Sequence, residues 1–200
     1  MPVLLIIRLY TDLAYRFKFV AEMADFNSDD ILAIKASAPL VGPLVPAIVD
    51  AVYGQLFKFD VTKEYFLAKT KEYDGSLVSN LKDLKLDSDQ IRYRKDFLGK
   101  YLVRLVTAEY DAEFIKYLDF VAKIHTNASG RKNDKLIQVD LVFVNALFGW
   151  FHGFLVAALD SHPQLQSKEN QPIRTKTIAA FSKLLWIQND FFLKYYVKDG

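Results

Sequence analysis

Residues 111–125 read DAEFIKYLDFVAKIH, and within them Phe114, Leu118, Val121 and His125 recur at i, i+4, i+7 and i+11, the spacing of a single α-helical face. That face points inward. The stretch is therefore predicted to be a helix that delivers an imidazole to an apolar interior on its last turn, immediately before a polar loop. An imidazole so placed is either a core histidine satisfied by nearby backbone or a metal ligand.

Outward from this segment the helical period continues almost throughout. On the N-terminal side, Leu9 to Met23 is amphipathic, and Asn27-Ser28-Asp29-Asp30 forms a capping cluster ahead of Ile31, Leu32 and Ile34. A further helix opens at Gly42-Pro43 and runs to about Phe59, with Leu44, Ile48, Ala51, Val52 and Leu56 inward. The pattern weakens from Asp60 to Leu86, where Tyr73-Asp74-Gly75-Ser76 is a loop signature. Asp87 with Gln90 resembles a capping box for a helix carrying Ile91, Leu98, Leu102, Leu105 and Val106. On the C-terminal side, Asn127 to Asn133 reads as loop. Helices follow from about Asp134 to Asp160 and from about Ile173 to Val197, separated by a polar stretch centred on His162-Pro163. No strand pair, repeat or low-complexity tract is present, so the predicted class is all-α.

Composition narrows the chemistry. The 200 residues, 52% of them apolar and 14% aromatic, suffice for one domain with a sizeable core. Twenty-six basic residues against 24 acidic ones give a net charge of +2 without clustering, so no nucleic acid is expected as partner. The absence of cysteine removes disulfides, thiolate catalysis, Fe–S clusters and thiolate-ligated haem together. The apolar run of Met1–Arg8 lacks a basic leader and a cleavage site and reads as the first turns of a helix, which leaves the cytoplasm as the expected location.

Leu141 to Leu159 spans nineteen residues without a formal charge, long enough to cross a bilayer. Asn145 and His152 share one of its faces and no cationic flank adjoins it, so a helix buried within the protein is expected instead of a membrane span, with dimerisation as the second reading. The chain contains no GxGxxG, P-loop, GxSxG or HExxH motif. His152 and His162 read as a buried helix residue and a loop residue, and Asp29-Asp30 as caps. No catalytic residue is assigned.

What remains is an aromatic, all-helical interior that receives one imidazole, the arrangement a haem requires. The stretches PLVGPLVP (39–46) through Val52-Tyr53, RYRKDFL (92–98) with Tyr101-Leu102, Tyr117-Leu118 through Ile124-His125-Thr126, and LWIQND (185–190) resemble the protoglobin family. They are most similar to its single-domain, fungal-type members, which are related to the sensor domain of globin-coupled sensors. The resemblance implies one globin-like domain over residues 1–200, with an additional N-terminal helix in residues 1–25. It implies haem b, its iron held by His125, and a distal tyrosine at Tyr53 whose hydroxyl donates to bound oxygen. Phe66 and Leu98 match haem-contacting apolar positions, though core packing explains both as well. Val52 replaces an aromatic that many sensor relatives carry, and Asn127 stands where related sequences often have glycine.

Two functions follow from these expectations. One is a haem protein that reversibly binds a diatomic gas, whether oxygen, carbon monoxide or nitric oxide, as sensor or scavenger. The other is a haem-free globin-fold module that holds a protein partner or an apolar ligand. A homodimer through the two C-terminal helices is expected, because together they carry more apolar surface than one core stripe needs.

Overall fold

The computed structural model describes residues 3–69, 73–126 and 138–197. Among them the chain forms helices α1 (Val3–Thr11), α2 (Leu13–Met23), α3 (Ser28–Ala36), α4 (Ala38–Val41), α5 (Val45–Leu56), α6 (Asp60–Lys63), α7 (Asp89–Thr107), α8 (Ala112–Lys123), α9 (Leu141–Asp160) and α10 (Gln171–Tyr196), with no strand. The expected loop at Asn127–Asn133 and the helix start near Asp134 lie outside the described residues. Gln138 to Asp140 are not helical, so α9 begins at Leu141.

Caps set most of the boundaries. Asp12 interrupts what the sequence suggested was one N-terminal helix: its backbone is extended, and its side chain accepts from the Tyr15 N–H to start α2. Asn27 and Asp30 form the reciprocal capping box of α3. Asp111 accepts from the backbone N–H groups of Glu113 and Phe114 and so opens α8. The capping box expected at Asp87 and Gln90 does not form. Ser88 precedes α7 without a side-chain cap bond, and Gln90 turns inward, where it is fully buried.

Helix α10 is the axis of the packing and lies against α2, α3, α8 and α9, while α5 packs on α7. Phe181, Leu184, Leu185, Phe191 and Phe192 of α10 enter the core together with Ile91, Leu102 and Leu105 of α7 and Phe114 and Leu118 of α8. Phe114 and Leu118 are almost completely enclosed, and each contributes roughly 1.5–3 kcal/mol through burial. Polar links fix the register of these contacts. The Arg16 guanidinium grips Asp190 through two bonds of 2.6 and 2.7 Å, joining α2 to α10. The Tyr101 hydroxyl donates to Gln188 Oε1, and Gln188 Nε2 donates to the Leu118 carbonyl, so α7, α10 and α8 share one buried chain of bonds.

Helix α9 departs from the expectation of an enclosed helix. Only Val144, Leu155 and Leu159 are buried, and Val142 is 65% exposed. Periodicity reports that a helix is apolar on all sides but not which of those sides its own chain will cover.

Candidate functional site

The buried face of α8 consists of Phe114, Ile115, Leu118 and Ala122, with Val121 half-buried at its edge. His125 follows the last helical residues by less than one turn. It too is half-buried, so the stripe that begins in the core ends closer to the surface. Nδ1 of His125 lies 2.7 Å from the Val121 carbonyl oxygen. A carbonyl only accepts, so Nδ1 carries the proton and Nε2 presents its lone pair. Among the described residues nothing hydrogen-bonds Nε2. Burial pushes the imidazole below its ordinary pKa, against the opposing pull of the Val121 carbonyl, and the ring is therefore neutral near pH 7. Phe192 faces it at 5.3 Å between centroids, and Phe148 packs on Phe192 at 5.4 Å.

Val139, just ahead of α9, is held from both sides. The Val139 N–H donates to the His125 carbonyl, and the Tyr196 hydroxyl donates to the Val139 carbonyl. The next residue, Asp140, accepts from the Tyr65 hydroxyl at 3.2 Å. Tyr65 belongs to the short 3₁₀ turn Glu64–Leu67, and its ring meets Phe143 edge-on. These links connect the end of α8 to the turn that carries Phe66.

Phe66 lies against Tyr53 of α5 at 5.5 Å and against Phe57 at 5.8 Å. Tyr53 is 7% exposed, and among the described residues its hydroxyl has no hydrogen-bond partner. Burial holds that phenol well above its ordinary pKa, with the nearby Arg94 charge opposing; it stays protonated and keeps its O–H available as a donor. Along α7, Gln90, Arg94, Leu98 and Tyr101 stand at i, i+4, i+8 and i+11 and so share a face. Leu98 is half-buried against the core. Gln90 accepts from the Val78 N–H at 2.6 Å and donates to the Phe66 carbonyl at 2.9 Å, which fastens Phe66 and Val78 to α7. The Arg94 guanidinium lies 5.7 Å from the Phe66 ring centroid and donates to the carbonyls of Gln90 and Ala68.

Tyr53 and Phe66 are thus in direct contact, Leu98 is one turn along α7 from the Arg94 that neighbours them, and His125 reaches the group through Val139, Asp140 and Tyr65. Arg94, Tyr65 and Phe192 are neighbours that the sequence did not mark, and Gln90, expected as a cap, is a fourth. Spacing placed Arg94 four residues before Leu98, but nothing in the sequence separated it from Arg92 or Lys95. His152 bonds Ser182 between α9 and α10, and His162 accepts from the Gln164 N–H as a cap, so neither belongs to the site. A groove of about 590 Å³ between α5 and α7, lined by residues such as Val45, Val49, Gly99 and Val103, touches none of the four candidate residues.

The donor set fits haem. Among the described residues no cluster of three or more His, Cys, Asp or Glu could hold a bare metal ion. Iron already held by a porphyrin needs only one imidazole with its far nitrogen anchored, which His125 supplies.

Residues 13–200 match the protoglobin family. The chain belongs to that family. Its match begins at the first residue of α2, so α1 lies ahead of the protoglobin region. Among solved structures, the globin domain of a globin-coupled sensor from Geobacter sulfurreducens is similar at a TM-score of 0.65 and 18% identity, covering 90% of this chain and 97% of that one. At that identity the likeness establishes the fold, an all-α globin-like one. No curated protein matches by sequence.

Proposed function

We propose that this chain is a haem protein that binds a diatomic gas reversibly, as sensor or scavenger, with His125 as the iron ligand and Tyr53 facing the bound gas. The observation that carries the reading is the imidazole of His125: Nδ1–H is committed to the Val121 carbonyl, Nε2 is left with its lone pair, and Phe192 packs on the ring. Membership of the protoglobin family supports it. When bound, the haem iron supplies an open coordination position for the gas. The protein's share is to orient one imidazole, exclude water with Phe66, Leu98 and Phe192, and offer the Tyr53 hydroxyl as a donor. His125→Ala is expected to abolish tight haem retention, a larger loss than the roughly 10–100-fold that follows removal of a ligand's outer partner. An unchanged Soret band in that variant would sink the assignment.

We also propose that α9 and α10 pair with the same helices of a second copy. Val142, Ile173 and Trp186 are 65%, 56% and 63% exposed, and two such helices from each subunit make an intermolecular four-helix bundle about a two-fold axis. Light scattering at micromolar concentration is expected to give twice the 23.0 kDa of one chain, and Trp186→Glu to return it to one. A wild-type mass of a single chain contradicts the dimer.

A further inference from the structure

Arg94 is a cation for which the described residues supply no counter-ion. Among the described residues no carboxylate lies within ion-pair distance of it, whereas the two other arginines that are at least half-buried both have one: Arg16 faces Asp190 and Arg174 faces Asp160. Lys95, which lies 5.9 Å from the Tyr53 ring centroid, is neutralised by Asp50 at 2.8 Å. A guanidinium has five N–H donors, and here the Gln90 and Ala68 carbonyls take two of them, at 3.0 and 2.6 Å. The groups around the charge are the Phe66 ring and the phenols of Tyr53, Tyr73 and Tyr93. None of these is a carboxylate.

A part-buried charge that nothing neutralises is costly, and an anion arriving beside it relieves that cost. Resting on the haem reading above, we infer that Arg94 is an anion-recognition residue of the Tyr53 side of the site. It selects small inorganic anions such as azide or nitrite over neutral ligands of similar reach. The guanidinium shares its α7 face with Leu98 and its Phe66 contact with Tyr53, so it stands among the residues a ligand on that side would meet. Its free N–H edge supplies a charge-assisted bond, and the Tyr53 hydroxyl supplies a second donor. A purely mechanical role, bracing the Ala68 carbonyl, accounts for the two bonds made. It does not account for a charge there, because a neutral amide of similar reach braces a carbonyl equally well.

The test uses ferric, haem-loaded protein, with azide as the anionic probe and imidazole as the neutral one, in wild type, Arg94→Gln and Arg94→Met. Azide is expected to bind about tenfold or more weakly in the neutral variants, the scale of one charge-assisted hydrogen bond, while imidazole is unchanged. In the wild type, added salt is expected to weaken azide and leave imidazole alone; this second measurement stands even if a variant fails to fold or load. Azide and imidazole weakening in parallel, or azide indifferent to both the substitution and salt, overturns the inference and leaves the haem reading intact. A wild type that shows no Soret band overturns both.

Discussion

The His125 side and the Tyr53 side of the site are built by opposite means. On the His125 side, regular helices meet, and charge locks them: Asp119 of α8, 2% exposed, accepts from the Tyr195 hydroxyl at 2.5 Å and from Lys194 at 3.0 Å, both on α10, and pairs with Lys123 at 2.9 Å on its own helix. Burial raises the Asp119 carboxyl, but these three partners outweigh it and hold the group below its ordinary pKa. On the Tyr53 side, α5 and α7 are joined through only short helical turns among the described residues, and neutral bonds from Gln90, together with the carbonyl contacts of Arg94, fasten Phe66, Ala68 and Val78 to α7. One side positions a ligand through helix register, a rigid and local device. The other shapes a pocket with a loop, and can vary that pocket at small cost to the fold.

That contrast can be broken at either side. The largest effect on folding is expected from Asp119→Ala, about 3 kcal/mol, toward the low end of the cost of unpairing a buried charge because Lys123 can rehydrate; urea unfolding measures it. The sign with pH follows from the depressed carboxyl: its contribution is present at neutral pH and is lost as pH falls through the carboxylate range, below about 4. Asp119→Ala should therefore flatten the acid limb of the stability profile. A smaller loss is expected for Gln90→Leu, about 2 kcal/mol, since it leaves the Val78 N–H and the Phe66 carbonyl without their partner. Its sharper signature is faster amide exchange confined to residues 64–88. Exchange that rises equally in α8 and α10 would erase the distinction between the two sides.

The smallest effect on stability, near zero, is expected for Tyr53→Phe, because the hydroxyl has no hydrogen-bond partner among the described residues. Its effect on ligand handling is the reverse: oxygen release from the haem-loaded protein should quicken roughly ten- to hundredfold, and carbon monoxide release much less. Equal oxygen off-rates in the two proteins would place the hydroxyl elsewhere.

The same contrast explains what could be read from the chain in advance. The α8 stripe was legible because it is periodic, and Phe114 and Leu118 fall where a 3.6-residue repeat puts them, whereas the helix ends at Lys123 and His125 follows in the turn beyond it. The family resemblance supplied Tyr53 and Phe66 as candidates, which periodicity alone did not, and their contact is a finding of the structure. Gln90 was misread as a cap, since a short polar residue near a helix start usually serves one; its actual partners, Val78 and Phe66, are 12 and 24 residues away and leave no local mark. Arg94 was missed for the same reason, its carbonyl partner at Ala68 being 26 residues distant. The exposure of α9 was invisible because hydrophobicity measures the need for cover, not its source.

The account turns on whether the chain holds iron through His125, and the absorption spectrum of the purified, haem-supplemented protein, reduced and then exposed to carbon monoxide, tests that most directly. The expected result is a Soret band that stays with the protein through gel filtration, shifts and sharpens with carbon monoxide, and is lost in His125→Ala. A wild-type spectrum with no retained Soret band, or one that carbon monoxide leaves unmoved, would contradict it.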